Sequence, residues 1–335
     1  MKEYLVDVPV KINIWIRKEC LRKQFEVIRQ ARPKVLFIQS DGGRNDYEWE
    51  IINYNRKMID DGIDWKCNVF RIYEDKNLGL YAMWRKSYEL VWTNVDRCIF
   101  LEDDDVPAVS FFRFCKELLD LYENDYRIQG ICGYNPLGVY NEVSSDYFFT
   151  GEFNQWGIAT WKRSVSLIND NNFRYINDDY VKKLMKLHLG NYVYNRAIKC
   201  AKEGKIDGHV PGSEFFRGLS RATQNALYIF PKRNMISNHG CGDDSVHSSD
   251  YLTLSREEQA LFYSKVYEID RDIIHPDYVI RDILFEEMAR KCSGFGHPIT
   301  RCKRRLIKFF KILRFQGVQG IKKKIRKIII NRNEK

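Results

Sequence analysis

Polar chemistry in this chain is densest at Cys98–Pro107, CIFLEDDDVP, where an apolar run ends in Glu102, Asp103, Asp104 and Asp105. Four adjacent carboxylates repel one another unless a positive group sits among them. Hard oxygen donors suit Mg²⁺ or Mn²⁺, which take one or two carboxylates together with the phosphates of a bound ligand. One Asp would serve as the N-cap of the helix expected over VSFFRFCKELLDLY, but a cap does not need four. The cluster predicts a divalent cation carrying a phosphorylated ligand.

Cys98–Leu101 has the length and continuous apolarity of a strand buried on both faces of a parallel sheet. Open α/β sheets bind ligands at the carboxyl ends of such strands. The preceding chain supplies the rest of that sheet. Strands are predicted at Val10–Ile16, Lys34–Ser40 and Cys67–Tyr73, with helices at about Lys18–Gln30 and Asp46–Asp61 and from Gly79 to Asn94. This alternation makes right-handed βαβ units. A further strand is expected at Ile128–Tyr134. From Tyr147 the pattern turns aromatic and glycine-broken. Helices are then expected at Asp178–Leu189, Asn191–Glu203 and Ser213–Asn225, a strand at Ala226–Pro231, and a long polar loop over Asn234–His247.

Other strand ends should converge on the acidic cluster. Asp41, at the tip of the second strand, suits a base or ribose, and suits an Asp-Gly turn equally well. Arg17, just past the first strand, would pair with a phosphate or simply open a helix in solvent. Asn77-Leu78-Gly79 opens a helix whose free N–H groups can face a phosphate or sugar.

The formal net charge of +10 belongs to one segment. Residues 301–335 hold fourteen Lys/Arg and one acid, while the remaining 300 residues hold 41 basic and 44 acidic side chains. The body is near neutral, which argues against a nucleic-acid partner. Nine cysteines without a C-x-x-C pair exclude zinc-ribbon and thioredoxin readings. With no signal peptide before Val8 and no run of eighteen apolar residues, the expected location is cytoplasmic, with reduced thiols.

The order strand–Arg17, strand–Asp41, Asn77-x-Gly79 and strand–acidic cluster resembles the GT-A glycosyltransferases. Leu-Glu-Asp-Asp followed by Pro and Phe-Phe is similar to the E-D-D-containing animal N-acetylglucosaminyltransferase. The late Asn-His-Gly…Asp-Asp…His stretch resembles bacterial family-2-type transferases of polysaccharide loci. The likeness spans about Val8 to Ser249. It implies an α/β GT-A fold, a mostly parallel central sheet flanked by helices, with a C-terminal helical tail. It also implies a donor half at 1–135, an acceptor half at 136–275 and a helical extension at 276–335.

The same resemblance implies a metal-dependent, inverting hexosyl- or N-acetylhexosaminyl-transferase using a UDP-sugar and a glycan or lipid-linked acceptor. Arg17, Asp41, Asn77 and Gly79 would line the nucleotide sugar, with Asp41 on uracil. Glu102 and Asp103 would face ribose and donor sugar, and Asp104 would ligate Mn²⁺ or Mg²⁺. Asp105 departs from the pattern, so the ligand register stays open by one residue. His247 would complete the metal site, with His239 as its competitor. The animal relative's Trp-Asp-Asp base segment is missing here. Glu214, at a helix start that favours an ionised carboxylate, is the substitute, followed by Asp207. Glu214 reads equally as an ordinary first-turn acid. Trp156 would stack on an acceptor sugar or fill a core.

Residues 301–335 read as basic amphipathic helix, with Leu306, Phe309, Phe310 and Leu313 on one side. Such a helix suits an anionic membrane surface, placing the protein peripherally on the inner face of the cell membrane. Protein docking and a solvated tail are the other readings. Two rival functions remain: a sugar-1-phosphate nucleotidyltransferase, which would need a glycine-rich loop where Trp15–Cys20 stands, and a non-catalytic carbohydrate-binding protein docked on a membrane.

Overall fold

The computed structural model describes residues 1–168, 177–204, 213–241, 251–293 and 298–333. The first part alternates as the sequence predicts: β1 (Val6–Ile14), α1 (Lys18–Ala31), β2 (Pro33–Ser40), α2 (Asp46–Gly62), β3 (Asn68–Tyr73), α3 (Leu80–Asn94) and β4 (Arg97–Leu101). Each strand carries the β-branched and aromatic residues that a covered pleated surface favours. Val8, Val10 and Ile12 of β1 are fully buried. On α1 the buried residues Leu21, Gln24, Phe25 and Ile28 recur at helical spacing and form one core-facing stripe. α2 is capped by Asn45, whose side chain accepts from the Glu48 N–H at 3.0 Å.

The chain continues through β5 (Asp105–Pro107), α4 (Ser110–Leu121), β6 (Ile128–Cys132), β7 (Tyr147–Thr150), β8 (Ile158–Trp161) and the short α5 (Lys162–Val165). α6 (Asp179–Glu203) and α7 (Ser213–Thr223) follow, then β9 (Leu227–Pro231), β10 (Ile236–Asn238), α8 (Arg256–Gln259), α9 (Ile283–Ser293) and α10 (Pro298–Asn333). Eight strands make one mixed sheet in the order β3-β2-β1-β4-β8-β6-β9-β7. The β3-β2-β1-β4 half is wholly parallel. Beyond it β8 runs antiparallel to β4 and β6, and β7 runs antiparallel to β9. β5 and β10 form a separate antiparallel pair that places Asn238 opposite Asp105.

Mixed α/β architecture, with a large central sheet and flanking helices, agrees with the expectation. The sequence does not show β5, β7, β8 or β10, which are only three or four residues long and too short for a period, and β10 falls within the loop expected over Asn234–His247. The strand expected to run on to Tyr134 ends at Cys132. The two helices expected at Asp178–Leu189 and Asn191–Glu203 meet at Gly190, whose φ of 73° and ψ of 159° break the helix.

Two compact units divide the chain. One comprises 1–167, 227–240 and 263–282 and contains both sheets; the other comprises 168–226, 241–262 and 283–335. The boundary expected at 135 therefore runs through a single sheet, since β7, β8 and β9 follow it in sequence. In the second unit α6 and α7 pack through Met185, Leu189, Ala197 and Leu219.

Candidate functional site

At the end of β4 the chain folds back, the Asp105 N–H donating to the Glu102 carbonyl at 3.2 Å. Asp105 points inward and is fully buried. Its carboxylate accepts from the backbone N–H of Glu102 at 3.1 Å, from the N–H of Gly157 at 2.9 Å and from Asn238 Nδ2 at 3.3 Å. Burial, then the charges of Asp104 and Glu102, push its carboxyl well above the usual carboxylate range. The carboxylate that exceeds the resemblance pattern is thus a structural part of the turn.

Gln24, buried on α1, holds both ends of that turn. Its side-chain amide donates to the Glu102 carbonyl at 2.6 Å and to the Asp105 carbonyl at 2.7 Å. Glu102 Oε2 accepts from Asn13 Nδ2 at 2.6 Å, and Asn13 Oδ1 accepts in turn from Lys11 Nζ. Lys11 is only 4% exposed. Burial draws its ammonium down to about 8, against the opposing pull of Glu102.

The positive group that four carboxylates demand is Arg17. Its Nη1 donates to Asp103 Oδ1 at 2.9 Å and to Asp104 Oδ2 at 2.5 Å. Asp104 Oδ1 accepts from Asn238 Nδ2 at 2.8 Å, and the Asp104 carbonyl accepts from the His239 N–H at 2.7 Å. Burial pushes the Asp103 carboxyl up to about 7; Arg17 opposes the rise and Asp104 and Glu102 add to it. Its side chain keeps 20% of its exposure. Gly240 lies so close that a Cβ there would stand 2.0 Å from Asp104 Oδ2, so any other residue would displace that carboxylate from its partners.

Asp41, Asn77 and Gly79 come together in a second cluster at the same edge of the parallel half-sheet. Asp41 Oδ1 accepts from the N–H groups of Gly42 and Leu78, both at 2.8 Å, and Oδ2 accepts from the Gly79 N–H at 2.9 Å. Asn77 Nδ2 donates to the Gly42 carbonyl at 2.9 Å. Asp41 thus fastens the loop before α3, while Gly79, at φ 81°, starts that helix. Trp156 precedes the Gly157 that binds Asp105, and its half-buried ring meets Tyr134 edge-on at 4.6 Å. The His239 ring is engaged with Ser237 Oγ at 3.1 Å and lies 4.7 Å from the Tyr263 ring. Burial, then nearby Lys23, lowers its pKa, with Asp104 opposing.

Asp207 and His247 lie outside the described residues, and Glu214 is the second residue of α7. Among the described residues no group of three or more His, Cys, Asp or Glu is arranged to hold a metal ion. Sequence reasoning missed Lys11, Asn13, Gln24 and Asn238. The first two carried a readable signal, polar residues at i and i+2 on an otherwise apolar strand. Gln24 carried another, an amide on the apolar stripe of its helix.

No protein-family model matches the chain, and no curated protein matches it. Among solved structures it is similar to a UDP-glucose pyrophosphorylase complexed with UDP-glucose, at 13% identity and a TM-score of 0.33 over 69% of this chain and 92% of that one. A cytidylyltransferase from Leptospira borgpetersenii serovar Hardjo-bovis gives 14% and 0.29 over 58% and 73%. A glycosyltransferase involved in glycosylation of the major capsid of PBCV-1 gives 12% and 0.24 over 67% and 92%. Likenesses this slight carry no function to this chain.

Proposed function

We propose that the chain is an inverting glycosyltransferase moving a hexosyl or N-acetylhexosaminyl group from a UDP-sugar to a glycan or lipid-linked acceptor, in the building of a bacterial surface polysaccharide. The observation that carries this reading is Arg17 set between Asp103 and Asp104 at the carboxyl edge of a parallel half-sheet. That edge is where such sheets take their ligands. A guanidinium is also the side chain best shaped to grip a diphosphate.

The carboxylates of Asp103 and Asp104 are hard oxygen donors that suit Mn²⁺ or Mg²⁺; Arg17 offsets one of their two charges, and no group of three His, Cys, Asp or Glu ligands is assembled there among the described residues. Asp104 would hold the cation, with His247 as the further ligand, and Glu102 and Asp103 would face the ribose and donor sugar. Bound there, the ion would offset charge on the departing diphosphate. The chain's own residues do the rest. Gln24, Asn13 and Asn238 fix the turn, Arg17 would exchange a carboxylate for a donor phosphate, and the Asn77–Gly79 segment fastened by Asp41 would border the nucleotide. Glu214, or Asp207 in its place, would take the proton of the acceptor hydroxyl. Trp156 would offer its ring to the acceptor sugar.

Thermal-shift titration with UDP, with and without Mn²⁺, tests the donor site, and a panel of UDP-sugars assayed for UDP release tests the reaction. Metal-dependent stabilisation, with release lost in Asp104→Asn, is the expected result. Consumption of UTP and a sugar 1-phosphate with pyrophosphate formed would instead make the chain a nucleotidyltransferase. No response to UDP at millimolar concentration would end the donor-site reading.

A further inference from the structure

An amphipathic helix in a globular protein turns its apolar stripe inward. α10 does the reverse. Ile299, Leu306, Phe310 and Leu313 recur at helical spacing on one side and are 71%, 59%, 62% and 40% exposed, with Phe309 beside them at 45%. The helix is seated within its own unit by the opposite side. There Ile312 is buried and Lys311 Nζ donates to the Leu254 carbonyl of the turn at 251–254. Lys303 and Arg314 are exposed and flank the apolar stripe. At Gly317, with φ 61°, the helix breaks and a second basic stretch begins. The charge of this segment is fourteen Lys/Arg against one acid, on a body that is close to neutral.

We propose that this outward face of α10 lies in the headgroup region of an anionic bilayer, the aromatic and aliphatic side chains entering the acyl boundary and the flanking cations pairing with lipid phosphates. Charge complementarity chooses the occupant. A protein groove would take the apolar stripe but has no need of thirteen excess charges, and a nucleic acid would take the charges but not a wall of Leu and Phe. No described helix is long and apolar enough to cross a membrane, so the contact is with one leaflet surface. The inference is independent of the transfer reaction.

Co-sedimentation of the full chain with vesicles tests it. Binding is expected to vesicles of phosphatidylcholine containing about a third phosphatidylglycerol, to be weak on pure phosphatidylcholine, and to fall with added salt. Leu306→Ser with Phe310→Ser should lower the partition constant at least about tenfold, since two exposed apolar side chains leave the boundary. Lys303→Gln with Arg314→Gln should lower it on the anionic vesicles alone. All four positions are exposed, and circular dichroism checks that each variant keeps its helix. Vesicle binding unchanged in the serine pair would overturn the proposal. So would a self-associating chain in which that pair abolishes dimerisation, or RNA binding that depends on the lysine and arginine but not on Leu306 and Phe310.

Discussion

At the scale of single residues the acidic turn is an electrostatic problem solved from inside the protein. Arg17 faces Asp103 and Asp104 at 2.9 and 2.5 Å, with all three side chains 18–20% exposed. Removing one partner of a buried pair costs about 3–5 kcal/mol, and partial exposure reduces that to roughly 2. Arg17→Met, which keeps the aliphatic stem, should lose about that much stability in urea unfolding at pH 8. Without Arg17 the Asp103 carboxyl rises further above its parent position near 7, so the deficit should shrink as the pH falls toward 7 and level off below it, where Asp103 is protonated in both folded proteins. A variant as stable as the parent at pH 8 would show that Arg17 is not the counter-charge. Lys11 gives a prediction of opposite direction. Its folded pKa of about 8 lies below the ordinary 10.5, so the folded state holds fewer protons than the unfolded chain between those values. Stability therefore rises with pH through that window, by up to about 3 kcal/mol from this group. Below pH 8 both states are protonated and the penalty is constant. Subtracting the unfolding curves of Lys11→Met from those of the parent between pH 8 and 10 isolates the rise; curves that run parallel would refute it.

At the scale of elements, the site depends on how α1 and the β5–β10 pair clamp the turn after β4. Gln24 is the clamp that a helical projection could have exposed, because an amide on an apolar stripe needs buried partners. Gln24→Met fills the same volume but takes the side-chain donor from the Asp105 carbonyl and leaves the Glu102 carbonyl with the Asp105 N–H alone. An unsatisfied buried acceptor costs about 1–3 kcal/mol, so the urea midpoint should fall accordingly and UDP-dependent stabilisation should weaken with it. An unchanged midpoint would mean that the turn holds itself. The strands and helices of the parallel half were legible because each has a clean period and a glycine or polar stop. Asn238 was not legible. Its role comes from pairing β10 with β5 across more than 130 residues, and three-residue strands carry no pattern of their own. The acidic cluster was found by composition. What neutralises it was not, since Arg17 reads from sequence as a partner for phosphate.

At the scale of the whole molecule the two compact units differ in what holds them. The first is an eight-stranded sheet whose strands β1, β2 and β4 contribute fully buried Val10, Ile12, Leu36, Phe37, Ile38 and Ile99. Among the described residues of the second, α6 and α7 pack through four buried residues with Val181, Val193, Tyr194, Phe215 and Ala222 around them. Few buried contacts and short-range packing make a region that opens at low free energy, while a central parallel sheet opens only near the global limit. Hydrogen exchange should therefore find the amides of α6 and α7 exchanging far faster than those of β1 and β4. Leu219→Ala removes about 2–4 kcal/mol of packing from the weaker core. It should speed exchange across α6 and α7 together, because Leu219 is shared by both helices, and leave β1, β4 and the Asp105 amide unchanged. Equal acceleration in β1 would show that the chain opens as one cooperative body and that the division into units has no energetic meaning.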